Sequence, residues 1–171
     1  MEIKGFKAFN NDLTNRYGQV FLEGEKYFIN GEISFGLMGN GFHFCKRLED
    51  TLRFYDAMND KIRIAEVIGR GEIVTFEDEY NGYYDMYAAS NLEIVKILSR
   101  DEIINQYLIC RDNNRVKRFV SGFRLTNEEI NKMENAHWKR EDVLDAIDYY
   151  QKNIDVYNLK KVRNIFRNNN N

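Results

Sequence analysis

Two histidines and two cysteines carry most of the nucleophilic and metal-ligating capacity of this chain, and two of the four sit together. In Phe42-His43-Phe44-Cys45 the histidine and the thiol are two residues apart, which on a strand places them on one face. With Cys110 and His137 they would complete a Cys2His2 set for zinc. Zinc sites pair their ligands two to five residues apart across a turn or helix, whereas Cys110 and His137 are isolated singles. The plainer reading is a core histidine donating to a backbone carbonyl beside a buried thiol, and no metal is expected. As a nucleophile, Cys45 would need a base within hydrogen-bond reach and a lowered pKa. Neighbours on one strand face lie about 7 Å apart, from the ~3.3 Å rise per residue. No catalytic set is complete, and the reading leans away from an enzyme.

Two further groups of residues suit binding. Arg111, Arg115, Lys117, Arg118 and Arg124 interleave with Phe119 and Phe123. Phosphate neutralisation combined with base stacking is how single-stranded nucleic acid is held. The competing expectation is a solvated helix or loop face whose phenylalanines point into the core. Tyrosines recur at Tyr80, Tyr83, Tyr84, Tyr87, Tyr149, Tyr150 and Tyr157. Tyrosine buries a large area at low entropic cost, which favours protein contacts. Tyr83 and Tyr84 cannot both face inward on a strand, so they are the first candidates for such a surface.

The totals narrow the field. With 171 residues, 43% of them hydrophobic, the chain can bury roughly 70% of its unfolded surface without metal or disulfide. A net charge of −2 gives no global field toward nucleic acid or anionic membrane. Two cysteines are too few for a disulfide framework and fit reduced, buried thiols. No run approaches the roughly 18 apolar residues of a membrane span. The opening Met1 to Phe6 holds no apolar leader. A cytoplasmic location is expected, with no membrane partner and no cofactor.

The elements that position these residues change character near Ser99. Before it, strands are predicted over 4–9, 17–22, 26–29 and 33–35, with Asn30-Gly31 as a hairpin signal. The stretch from Gly39 to Asp56 reads as a positive-φ turn, an aromatic strand and a helix over about 48–58. Its Glu49 and Asp50 stand where the helix dipole favours acids. Strands at 62–68, 72–76, 83–88 and 92–98 follow, with a bulge or bend allowed by Gly69-Arg70-Gly71. Glu66 amid apolar neighbours calls for an edge position or a partner. After it, Ser99-x-x-Glu102 and Thr126-x-x-Glu129 are capping boxes that open helices. Apolar stripes over 143–154 and 159–166 complete a helical region, before an asparagine tail. The expected architecture is α+β: an N-terminal twisted antiparallel β-sheet with one packed helix over 1–105, then a C-terminal helical extension over 106–171 packed on it.

The first hundred residues also resemble a small domain family of unknown function found in phage, prophage and other bacterial proteins. The matching pieces are Phe6-Lys7-Ala8-Phe9, Gly24-Glu25-Lys26-Tyr27 and Gly41-Phe42-His43-Phe44-Cys45 with its helix to Tyr55. Ala65-Glu66-Val67, Gly71-Glu72-Ile73 and Ile94 to Leu98 complete them, so the resemblance covers about residues 4–105. It implies a phage-linked accessory protein without a reaction to transfer. The same glycine, aromatic strand and helix are loosely similar to a piece of ADP-ribosyltransferase domains. That likeness would make His43 or Tyr55 a nicotinamide-side residue and Glu72 or Glu77 the catalytic carboxylate, with NAD as substrate. The leading expectation is a non-enzymatic module or inhibitor that binds a host or phage protein through its sheet edge and tyrosine-rich loops. An NAD-handling enzyme and a nucleic-acid binder at 111–124 stand as alternatives.

Overall fold

The computed structural model describes residues 1–15, 17–34, 39–54, 62–76 and 86–152. The fold is α+β. Strands β1 (Glu2–Phe9), β2 (Lys26–Phe28), β3 (Phe42–Cys45), β4 (Arg63–Phe76) and β5 (Met86–Ile97) form one antiparallel sheet, with a 3-10 helix at Leu48–Phe54. Helices α1 (Arg100–Ile109), α2 (Asn113–Gly122), α3 (Asn127–Ala136) and α4 (Glu141–Ile147) follow, and a π-helical turn over Asp148–Lys152 continues α4. β1 pairs with both β3 and β4, and β5 pairs with both β3 and β4, so these four strands close on one another. β2 lies outside the ring, against β5.

Long bulged strands make that closure possible. β4 and β5 pair along most of their length but shift register at Glu66/Val67 and between Arg70 and Ile73. Gly71 sits in the second bulge at φ +78, a conformation that L side chains rarely adopt. The Ser90 hydroxyl fills the space there and accepts from the Glu72 amide. Ser90-Asn91 is therefore not a break between two strands, as its sequence suggests. β5 runs through it, and the bend is absorbed by the bulge opposite. Glu66 stands opposite Lys96 across the ladder, within electrostatic reach of an ammonium that is itself paired with Glu102.

Other local expectations shift for similar reasons. Residues 17–22 contribute a single bridge, Thr14 to Val20, because the Asn15 side chain accepts from the amides of Tyr17 and Gln19 and folds the segment into a turn. Gly31 takes the positive φ that Asn30-Gly31 predicts, yet β2 pairs with β5 and not with the strand after it. No strand forms at residues 31–34, where Asn40 accepts from the Ser34 amide and donates to the Glu32 carbonyl. Gly41 serves close approach: a Cβ there would lie 2.7 Å from that of Ala88. The helix expected over 48–58 is described as a 3-10 helix to Phe54, and the rest of that span, like the 159–166 stripe, lies outside the described residues.

The core has two parts. Inside the sheet, Phe9, Phe21, Phe42, Phe44, Val67, Leu92 and Ile94 pack together. On the sheet's other side, Ala8, Leu48, Leu52, Ile62, Ile64 and Leu98 join one cluster with Ile104, Tyr107, Val116, Phe119, Met133, Val143 and Ile147 of the helices. Both capping boxes form as the sequence predicts: Ser99 accepts from the Glu102 amide and Thr126 from the Glu129 amide, each with the reciprocal bond. The Glu102 carboxylate also accepts from Lys96, and these bonds hold its pKa down at about 2.

Close packing at β1 gives a test. A Cβ on Gly5 would lie 2.3 Å from the Cys45 carbonyl oxygen and 2.8 Å from the Phe44 ring, so β1 and β3 would have to part. Gly5→Ala is expected to lower stability by about 1–3 kcal/mol, read from urea midpoints. Gly18→Ala, whose Cβ would meet nothing within 4 Å, should cost only the strain of its φ of +80, about 1–2 kcal/mol.

Candidate functional site

The 3-10 helix is where the sheet meets the helices that follow it, and its first five residues are buried. Leu48, Glu49, Asp50, Thr51 and Leu52 are each less than a tenth exposed. The two acids stand in the first turn, as the sequence predicts, and both are buried there. Desolvation raises the Asp50 pKa, and the Arg115 guanidinium opposes that shift. Arg115 Nε donates to Asp50 Oδ1 at 2.7 Å and its terminal nitrogen to Oδ2 at 3.3 Å, a forked pair. A further Arg115 nitrogen donates to Asp112 at 3.0 Å. Asp112 also caps α2 by accepting from the amides of Asn114 and Arg115.

Beside this pair the Gln106 side chain donates to Glu49 at 3.1 Å. Tyr107 is fully buried, stacked on Phe119 with centroids 3.9 Å apart, and its hydroxyl has no hydrogen-bond partner among the described residues. Burial, followed by the charge of Glu49, raises its pKa well above the usual phenol value. His137 Nε2 donates to the Tyr107 carbonyl at 3.0 Å, and its Nδ1 is unpartnered among the described residues. Burial lowers the His137 pKa, with Arg140 adding to the effect. Arg140 itself donates to the Cys110 carbonyl at 2.8 Å. Above these groups an open cleft of about 540 Å3 is lined by Arg47, Glu49, Gln106, Ile109, Arg111 and Arg115, with Cys110 and Asp112.

The residues singled out by type and spacing fall in several places. His43 is half-buried on β3, opposite Ala88. Glu72 is exposed at the β4 bulge. Neither lines the cleft. Tyr55, Glu77, Tyr83 and Tyr84 lie outside the described residues, as do Tyr80 and Tyr157. Cys45 packs against Met86, and burial raises the Cys110 thiol pKa, the opposite of what a nucleophile needs. Among the described residues no three His, Cys, Asp or Glu side chains are placed to hold a metal ion. No helix among them is long and apolar enough to cross a membrane.

The basic-aromatic stretch forms α2 and its flanks. Phe119 and Phe123 are buried core residues and offer no face to a base. Arg115 is held by Asp50 and Asp112, and Lys117 pairs with Asp142 at 3.0 Å. Arg118 is half-buried, while Arg111 and Arg124 are exposed.

A second surface escaped residue-type reasoning because its side chains are apolar. Between residues 17 and 28, Phe21 and Tyr27 turn inward with ring centroids 4.7 Å apart. Their neighbours Val20, Leu22 and Phe28 turn outward, with Leu22 53% and Phe28 66% exposed. Tyr17 is exposed on the same segment. The in–out alternation at 20–22 was the available sequence signal.

Two outcomes follow from the buried polar groups. Asp50→Ala alone should cost about 1–3 kcal/mol by stripping the half-buried Arg115 of its forked partner and leaving it Asp112, whereas Asp50→Leu with Arg115→Met should recover most of that loss in urea denaturation. The lowered His137 pKa means that the unfolded chain takes up this proton more readily. The histidine's contribution is complete above about pH 6.5 and declines as pH falls below it. His137→Gln, which can still donate to the Tyr107 carbonyl, should flatten the stability profile between pH 7 and 5.

A family model described as a domain of unknown function, DUF7666, matches residues 3–106. No curated protein and no solved structure matches the chain. The match takes in β1 from its second residue, the other four strands, the 3-10 helix and the larger part of α1, and stops one residue before Tyr107. Spanning more than half of the 171 residues, it shows that the protein belongs to the DUF7666 family, whose domain has no known function.

Proposed function

We propose that the protein is a non-enzymatic binding module that captures a protein partner, in the phage- or prophage-type accessory role on a host macromolecule that the resemblance implies. The observation carrying this reading is the outward row of Val20, Leu22 and Phe28. Large apolar side chains gathered on one segment mark interaction surfaces, and covering them returns roughly 25 cal/mol for each Å2 removed from water. The row adjoins β2, which lies at the end of the strand order, so a partner strand could extend the sheet there. Tyr83 and Tyr84, which lie outside the described residues, are assigned to the same partner on the ground of residue type alone.

The test is affinity capture with the immobilised chain, followed by measurement of Kd for the protein recovered in stoichiometric amount. Leu22→Asp with Phe28→Asp should weaken that complex at least tenfold and leave the thermal midpoint of the free chain within a few degrees. Equal capture by the double variant would sink the reading. A parallel titration with NAD separates the enzymatic alternative. A ligand at 100 times its Kd adds about 2.7 kcal/mol, or roughly 5–11 °C in Tm for a chain of this length. Such a rise would turn attention to His43 and Glu72; no change is expected.

A further inference from the structure

The cleft at the junction holds one arginine locked in ion pairs and two whose guanidinium groups are not. Arg115 is balanced by Asp50 and Asp112, while the nearly buried Glu49 accepts a hydrogen bond from the neutral Gln106 amide. Arg47 and Arg111 differ. Both are exposed, both line the cleft, and neither guanidinium makes a hydrogen bond or salt bridge with a described residue, although the charge of Arg47 reaches Asp50. They come from far apart in the sequence, Arg47 from the turn before the 3-10 helix and Arg111 from the turn between α1 and α2. Two like charges sharing one cleft repel, and an oxyanion between them removes that repulsion while accepting forked bonds from both.

Of the remaining lining, the carboxylates of Asp112 and Glu49 are engaged by Arg115 and Gln106, and Ile109 favours an organic anion over a bare ion. Ile109, 72% exposed, supplies an apolar wall beside the arginines. The volume of about 540 Å3 falls within the roughly 300–1,000 Å3 usual for small-molecule sites. The Tyr107 hydroxyl, a donor without a partner among the described residues, lies within electrostatic range of the lining residues Glu49 and Cys110. We infer that the cleft between the 3-10 helix and the α1–α2 turn binds a small organic oxyanion, a carboxylate or a phosphate ester, between Arg47 and Arg111. The ligand would bridge the family domain and its helical extension. This site is separate from the apolar row, and the two stand or fall independently.

Phenyl phosphate and benzoate, which share an apolar body and differ in the anionic group, are the probes. Each is titrated at constant ionic strength into protein whose arginine Nε–H resonances are assigned. The expected result is saturable movement of the Arg47 and Arg111 signals by at least one probe, with a Kd at or below about 1 mM. The tighter probe identifies the anionic group. Arg47→Gln and Arg111→Gln should each raise that Kd at least tenfold, with Arg124→Gln, an exposed arginine outside the cleft, leaving it unchanged. Linear, unsaturated movement with both probes overturns the inference, as does equal weakening by Arg124→Gln. The Tm of each variant, expected within a few degrees of the parent, shows that lost binding is not lost folding.

Discussion

A carboxylate placed under a protein surface must be answered, and the architecture turns on the answer given to Asp50. Its side chain is 1% exposed, in the buried first turns of a 3-10 helix, and burial alone favours its neutral form. The answering charge comes from Arg115, 65 residues on, with two near-parallel bonds. Arg115 in turn is steadied by Asp112, the residue that starts α2. One ion pair thereby couples the start of a helix in the extension to the segment linking β3 and β4. Such a pair adds little net stability compared with well-packed apolar residues, but it penalises arrangements that leave either charge alone.

Other polar groups repeat this logic across the extension. Arg100 Nε donates to Glu129 at 2.7 Å and lies over the Phe123 ring, joining α1 to α3. The buried Gln151 donates to the carbonyls of Val120 and Phe123 and accepts from the Leu125 amide, closing the end of α2 against the turn after α4. His137 and Arg140 do the same for the carbonyls near the end of α1. Helix ends leave backbone groups without intrahelical partners, and here long side chains from neighbouring helices meet several of them.

The boundary of the family match falls inside α1, yet the hydrophobic core ignores it. Ala8, Leu48, Ile62 and Leu98 of the matched region share one cluster with Val116, Met133 and Ile147 of the helices beyond. In this protein, then, one side of the family domain is covered by the chain's own helices. The apolar row at Val20, Leu22 and Phe28 belongs to the matched region and remains exposed, while the junction cleft draws on both. A partner surface and a ligand cleft at separate places are compatible with one compact core.

What the sequence determined by itself was local. Ser99 with Glu102 and Thr126 with Glu129 specify helix starts because every atom involved lies within three residues. The alternation of Ile62 to Ile68 marks a strand, and the glycines at 69 and 71 allow its bulge, for the same reason of short range. The α+β order of sheet then helices follows from the change of period near Ser99. Tertiary structure decided the rest. It joined two expected strands into β5 by setting Ser90 against a bulge, and it chose β5 over the following segment as the partner of β2. It took Phe119 and Phe123 into the core and left Leu22 and Phe28 outside, though all four are apolar. It also gave Arg115, one cation in a basic run, a buried carboxylate that nothing in its neighbourhood announces. Burial and charge pairing depend on what arrives from dozens of residues away, and a periodic pattern along one segment carries no record of that partner.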